Sequence, residues 1–105
     1  MIKFNLSEYF EIILSSEEVR RGKPEPDLYL EACKQLLLTP RQCIAIEDSI
    51  LGVQAVKNAK MLCIGITNTV SKDRLKKADI IVNSLSKISQ AIKKISLNND
   101  RYKNH

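Results

Sequence analysis

Residues 43–59 read CIAIEDSILGVQAVKNA, a strand pattern that turns directly into a helix pattern. Cys43–Ile46 is a short apolar run, the signature of a strand buried on both faces. Two adjacent acids, Glu47 and Asp48, end it. Ser49 follows where a helix N-cap is favoured, because its hydroxyl can accept a hydrogen bond from a first-turn N–H. Ile50, Val53 and Val56 then recur at helical spacing, and Gly52 between them permits close packing against the strand. A strand that feeds straight into a helix is half of a β–α–β unit, so the stretch predicts a parallel sheet.

The same alternation extends on both sides. Tyr9–Leu14 (YFEIIL), Leu62–Ile66 (LCIGI) and Ile80–Val82 (IIV) are further apolar runs bounded by polar or turn residues. Helical stretches are expected between them. Pro26–Leu37 begins with Pro and Asp27, both favourable in a first turn, and places Tyr29, Ala32, Cys33 and Leu36 on one face. Ser49–Ala59 is the second helix. Ser71–Ala78 is expected as a shorter one with Ser71 as N-cap. Leu85, Ile88, Ala91, Ile92 and Ile95 mark an amphipathic helix near the end.

The chain has 105 residues, 44% hydrophobic and 28% charged, which suits one small globular domain. No run approaches the roughly 18 apolar residues of a membrane span. The opening MIKFNLSEYFE lacks the layout of a signal peptide, so a cytoplasmic location is expected. Cys33, Cys43 and Cys63 are an odd number without C-x-x-C spacing and read as core residues, not as a disulfide framework or a zinc site. Seventeen basic and twelve acidic residues give +5, unevenly spread: residues 1–71 carry −1 and residues 72–105 carry +6. That basic end nearly lacks aromatic side chains to stack on bases, so nucleic acid is not the expected partner. Residues 96–105 are polar and are expected to form a disordered tail on a core domain of residues 1–95.

In sheets of this kind chemistry sits just beyond the carboxyl ends of the strands. After the first run comes Lys23, held between Gly22 and Pro24. That loop either aims one ammonium at a phosphate or carboxylate, or simply presents a surface lysine in a turn. After the second run come Glu47 and Asp48. Two like charges at the rim of a core invite a positive partner such as Mg²⁺, which takes one or two carboxylates and several waters. The other reading has Asp48 and Ser49 only capping the next helix. Taken together, a metal clamp and a fixed cation at one sheet edge suit phosphoryl transfer, in which charge spreads over three oxygens.

These residues resemble a known family. Gly22-Lys23-Pro24-Glu25-Pro26-Asp27, followed by Ile46-Glu47-Asp48-Ser49 and Gly52-Val53-x-Ala55, is similar to the third and fourth motifs of haloacid dehalogenase-like (HAD) hydrolases. The nearest branch contains β-phosphoglucomutase, phosphoglycolate phosphatase and sugar-phosphate phosphatases. Thr39-Pro40 and Ala78-Asp79-Ile80-Ile81 agree as well. The resemblance implies an α/β, Rossmann-like parallel sheet and a Mg²⁺-dependent phosphatase or phosphomutase acting on a small phosphorylated metabolite. It implies that Lys23 is the catalytic lysine that holds nucleophile and phosphoryl group, that Asp48 ligates Mg²⁺, and that Glu47 supports the metal directly or through water. It implies no organic cofactor.

The chain departs from the family in two ways. Lys60 stands where the family usually has Gly at a helix end, a change expected to cost about 1 kcal/mol if the residue is left-handed. More important, no Asp-x-Asp occurs anywhere in the sequence. In the family that motif supplies the nucleophile and the general acid/base, and the mechanism passes through an aspartyl-phosphate. His105, the only histidine, stands at the terminus and is a poor general base, and Ser15, Ser16 and Ser49 have no evident base partner. The chain therefore reads as the carboxyl-terminal half of such an enzyme. The nucleophile strand, its neighbour and the cap domain are missing from the pattern, and the Mg²⁺ site is incomplete. A catalytically inactive chain that associates with a partner is the alternative reading. Two missing central strands would leave a gap of roughly 10 Å between the first apolar run and the second. The sheet must then collapse, recruit another chain or stay loose, and open strand edges would offer a route to self-association.

Overall fold

A computed structural model describes residues 2–5, 11–14, 25–67 and 70–97. The elements are β1 (Ile2–Asn5), β2 (Glu11–Leu14), α1 (Asp27–Gln35), β3 (Cys43–Glu47), α2 (Ile50–Asn58), β4 (Leu62–Ile66), β5 (Ile80–Val82) and α3 (Ile88–Leu97). Three short 3-10 turns, Pro40–Gln42, Lys72–Leu75 and Leu85–Lys87, join them. One five-stranded sheet runs in the order β1-β2-β3-β4-β5. β1 pairs antiparallel with β2, and every other pair is parallel.

Strand alternation divides the core into two layers. Cys43 and Ala45 of β3 and Cys63 of β4 pack with Tyr29, Ala32 and Cys33 of α1 and with Val53, Ala55 and Val56 of α2. Ile44 and Ile46 of β3 and Leu62, Ile64 and Ile66 of β4 face the other way, against Ala91, Ile92 and Ile95 of α3. β4 throughout, and β3 as far as Ile46, are apolar because both of their faces are covered. All three cysteines are buried and free, as the sequence leads one to expect. No helix among the described residues is long and apolar enough to cross a membrane.

Several boundaries differ from expectation, each for a physical reason. Ser71–Ala78 is not a helix but the 3-10 turn Lys72–Leu75, and Ser71 makes no side-chain cap hydrogen bond. Only Leu75 of that turn is buried, so no apolar stripe drives further turns to form. β1 was not expected as a strand; its partner is β2, reached across a chain reversal that no local pattern announces. The expected central gap is closed: Glu11–Leu14 pairs in parallel with Cys43–Ile46 over four residues. Of the three outcomes open to a gapped sheet, this is collapse, and it satisfies N–H and C=O groups that an open edge would leave facing a void. α3 continues to Leu97, taking in the first two residues of the expected tail, and residues 98–105 lie outside the described residues.

Two helix ends share one motif. Met61 N–H bonds to Val56 C=O and Lys60 N–H to Lys57 C=O; Leu38 N–H bonds to Cys33 C=O and Leu37 N–H to Lys34 C=O. Both are Schellman closures, which place one residue in the left-handed region. Those residues are Lys60 (φ 68°) and Leu37 (φ 61°), neither of them glycine. Leu37 is 91% exposed, so the strain there is not offset by core packing. Lys57 Nζ donates to Met61 C=O at 2.9 Å and to Asp79 Oδ2 at 2.8 Å. Asp79 Oδ2 also accepts Cys63 N–H at 2.8 Å, and Asp79 N–H donates to Cys63 C=O at 2.9 Å. One carboxylate thus joins the end of α2, the start of β4 and the turn into β5.

Lys60→Gly and Leu37→Gly should each stabilise the chain by about 0.5–1 kcal/mol, the left-handed strain relieved less the entropy that glycine adds to the unfolded chain. Asp79→Ala should destabilise it by about 1–2 kcal/mol, because charged hydrogen bonds are lost. Urea denaturation monitored by circular dichroism reads all three variants.

Candidate functional site

The carboxyl end of β3 carries the candidate site. Continuing the alternation of Cys43 and Ala45, Glu47 turns toward the α1–α2 layer and is fully buried. The Tyr29 hydroxyl, from α1, donates to Glu47 Oε2. The opposite carboxylate oxygen lies over Gly52 in the first turn of α2, where a Cβ would overlap it and would also crowd Ser49 Oγ at 2.9 Å. Gly52 is therefore required by contact, not by backbone conformation. The positive end of the α2 dipole favours a carboxylate at this position.

Asp48 is the first residue past the strand and is partly exposed at the rim, with its Oδ1 buried. Ser49 caps α2 as expected, its Oγ accepting Gly52 N–H at 3.0 Å. The two acids expected to act together are thus adjacent but differently disposed. Asp48 stands at the opening, and Glu47 lies beneath it, bound into the helix layer. Lys23, the other expected site residue, lies outside the described residues, as do Ser15, Ser16 and His105.

Among the described residues no group of three or more His, Cys, Asp or Glu side chains converges as a metal cage. The donor set at the end of β3 still suits Mg²⁺, which is held by one or two carboxylates and otherwise by water. Two carboxylate oxygens buried at one strand end, Glu47 Oε1 and Asp48 Oδ1, supply hard ligands of that kind.

Tyr29 is the member of this site that sequence reasoning placed only in the core. The signal was available: a tyrosine on the apolar face of a helix has to find a partner for its hydroxyl. The cysteines take no part. Cys33 Sγ lies 3.5 Å from Cys43 Sγ and 3.8 Å from Met61 Sδ, deep in the helix layer. The hydrogen bond with Cys43 holds the Cys33 thiol below its usual pKa, with burial acting in the opposite direction.

Comparison with known proteins agrees with this geometry. The profile of the haloacid dehalogenase-like hydrolase family matches residues 1–66. The chain belongs to that family. It is 33% identical over 81 residues to validoxylamine A 7'-phosphate phosphatase of Streptomyces hygroscopicus subsp. limoneus, covering 77% of this chain and 38% of that protein. It is 35% identical over 79 residues to hexitol phosphatase A of Escherichia coli, covering 75% and 37%. Among solved structures, β-phosphoglucomutase from Clostridium difficile superposes with a TM-score of 0.60 at 29% identity, covering 74% of this chain and 36% of that one. The chain falls in the branch of HAD proteins that holds β-phosphoglucomutase and related phosphatases. It spans well under half the length of these relatives.

Tyr29→Phe should cost about 1–3 kcal/mol, because a buried carboxyl loses its phenol donor while the ring still packs. Gly52→Ala should cost about 2 kcal/mol or more, since the new methyl displaces a carboxylate that is buried and tethered. Equilibrium denaturation of the two variants checks the order as well as the sizes.

Proposed function

We propose that this chain supplies the magnesium-binding carboxylates of a HAD phosphatase or phosphomutase acting on a small phosphorylated metabolite. The adjacent pair Glu47–Asp48 at the carboxyl end of a central parallel strand carries this reading. Asp48 would hold the ion by its carboxylate at the rim. Glu47 would fix the strand end from below and support the ion directly or through water. When bound, Mg²⁺ neutralises charge on the phosphoryl oxygens. Lys23 would hold the phosphoryl group and the nucleophile through its ammonium. Substrate classes named for the relatives, such as hexitol phosphates and a validoxylamine phosphate, favour a phosphorylated sugar-like metabolite.

A second reading is that the chain has no turnover alone and works only with a partner that bears Asp-x-Asp. The absence of that motif from all 105 residues favours it. The two readings are compatible: one describes the site's chemistry, the other what completes it.

The deciding experiment is hydrolysis of a generic aryl phosphate with and without Mg²⁺. The chain is assayed alone and mixed with an amino-terminal HAD segment carrying Asp-x-Asp. The chain alone should be inactive. The mixture should show Mg²⁺-dependent turnover that Asp48→Asn lowers by about a hundredfold or more, as expected for loss of a metal ligand. Turnover by the chain alone, abolished by Asp48→Asn, would overturn the second reading. Turnover in the mixture that is indifferent to Asp48→Asn would overturn the first.

A further inference from the structure

A pocket opens at the same carboxyl edge, beyond β4 and β5. Its volume is about 510 Å³, and Lys72, Lys87, Thr67, Ser71 and Asn83 supply its polar lining. That volume falls in the range of roughly 300–1,000 Å³ typical of small-molecule sites. Neither Glu47 nor Asp48 lines it, and among the described residues no acidic side chain does. It is thus apart from the site described above and of opposite sign.

The two lysines reach it from different elements. Lys72 begins the 3-10 turn that follows β4, and Lys87 ends the one that follows β5. Among the described residues neither is in an ion pair. Lys57 is the contrast, its ammonium bound to Asp79 at 2.8 Å. The Ser71 hydroxyl accepts no cap hydrogen bond from the turn, and its O–H is a donor in the pocket lining. Thr67 is pinned at the mouth, its N–H donating to Val82 C=O at 3.0 Å, so the two strand ends and their polar side chains keep a fixed spacing. Ile81 adds an apolar contact beside these groups.

The geometry points to a second anion site here, one that takes the phosphoryl group of a small phosphomonoester between Lys72 and Lys87. Two ammonium groups match a phosphomonoester that carries between one and two negative charges at neutral pH. Ser71 and Asn83 supply neutral hydrogen-bond donors around it, while the Thr67 hydroxyl donates to Val82 C=O at 3.4 Å and helps to hold the strand ends. The pocket is large enough for a few carbons beyond the phosphate, and Ile81 offers them an apolar surface. This assignment is independent of the magnesium reading, since it uses none of the same residues.

The test is a titration of the isotopically labelled full chain with glycerol 3-phosphate, followed by backbone amide NMR, with glycerol as the neutral control. Saturable shifts should gather at Thr67, Ser71 and Asn83, weaken as salt is raised, and be absent with glycerol. Lys72→Ala/Lys87→Ala should weaken binding about tenfold or more while leaving the circular dichroism spectrum unchanged. Both lysines are exposed, so the double variant should fold; Lys72→Gln/Lys87→Gln provides a second route to the same measurement. The assignment is overturned if shifts gather at Ser49–Gly52 instead, if no saturation is reached at the pocket, or if the double variants bind as well as the parent. Tighter binding of a single-stranded oligonucleotide at the same residues would likewise overturn it, in favour of a nucleic-acid surface.

Discussion

The buried carboxyl of Glu47 constrains three elements at once. It ends β3, takes a hydrogen bond from Tyr29 of α1, and fills the space over Gly52 of α2. A carboxyl group removed from water is costly unless its surroundings replace hydration. The phenol and the helix terminus do so, and in doing so they fix where both helices sit on the sheet. Substitution at any of the three positions disturbs the other two, because the packing leaves no room for independent adjustment. The Glu47 carboxyl is thus a structural pin of the helix layer.

That pin explains why much of the fold was legible. β4 and β5 match their apolar runs residue for residue, and β3 extends its run by Glu47 alone. Runs this apolar can only be strands covered on both faces, and a serine after two acids announces the helix that does the covering. The Lys60 position was legible too, since a helix that ends at Ala59 and resumes as a strand at Leu62 needs a left-handed residue between. What escaped was set by tertiary context. β1 is defined by its partner β2, and the Lys72–Leu75 turn by the lack of an apolar stripe. At the site, adjacency of Glu47 and Asp48 was plain from the sequence. Their division into one buried and one rim acid was not, because it depends on Tyr29, eighteen residues earlier, arriving at the same point.

The parallel pairing of β2 with β3 has a bearing on function. In the family, the nucleophile strand and its neighbour would lie between these two. Here they share four residue pairs, so any partner bringing those strands has to displace existing hydrogen bonds. The energetic balance is not prohibitive. Each bond broken to β2 would be replaced by one to the incoming strand, and the net worth of such a bond in water is only about 1 kcal/mol. Among the described residues, β3, β4 and β5 share two core clusters with the three helices, and that packing does not depend on which strand pairs with the outer edge of β3. The collapsed sheet is thus a closed arrangement in which β3, with Glu47 and Asp48 at its carboxyl end, is already paired on both sides.

The rim of the sheet is divided by charge as well as by chemistry. Beyond β3 stand two acids; beyond β4 and β5 stand two lysines around a pocket. Residues 1–71 and 72–105 differ in net charge by seven, −1 against +6, and the boundary between them falls just after β4. A phosphorylated ligand meets opposite fields on neighbouring parts of one edge, repelled by Glu47–Asp48 unless a cation is bound there and attracted by Lys72 and Lys87 regardless. Exposed charges separated by more than about 8 Å are largely screened at physiological salt, so each region acts on the ligand locally and not through one combined field. On the proposed reading, the acidic region would need a bound cation to accept phosphate, while the basic region would not. The parallel sheet provides the common edge that sets the two side by side.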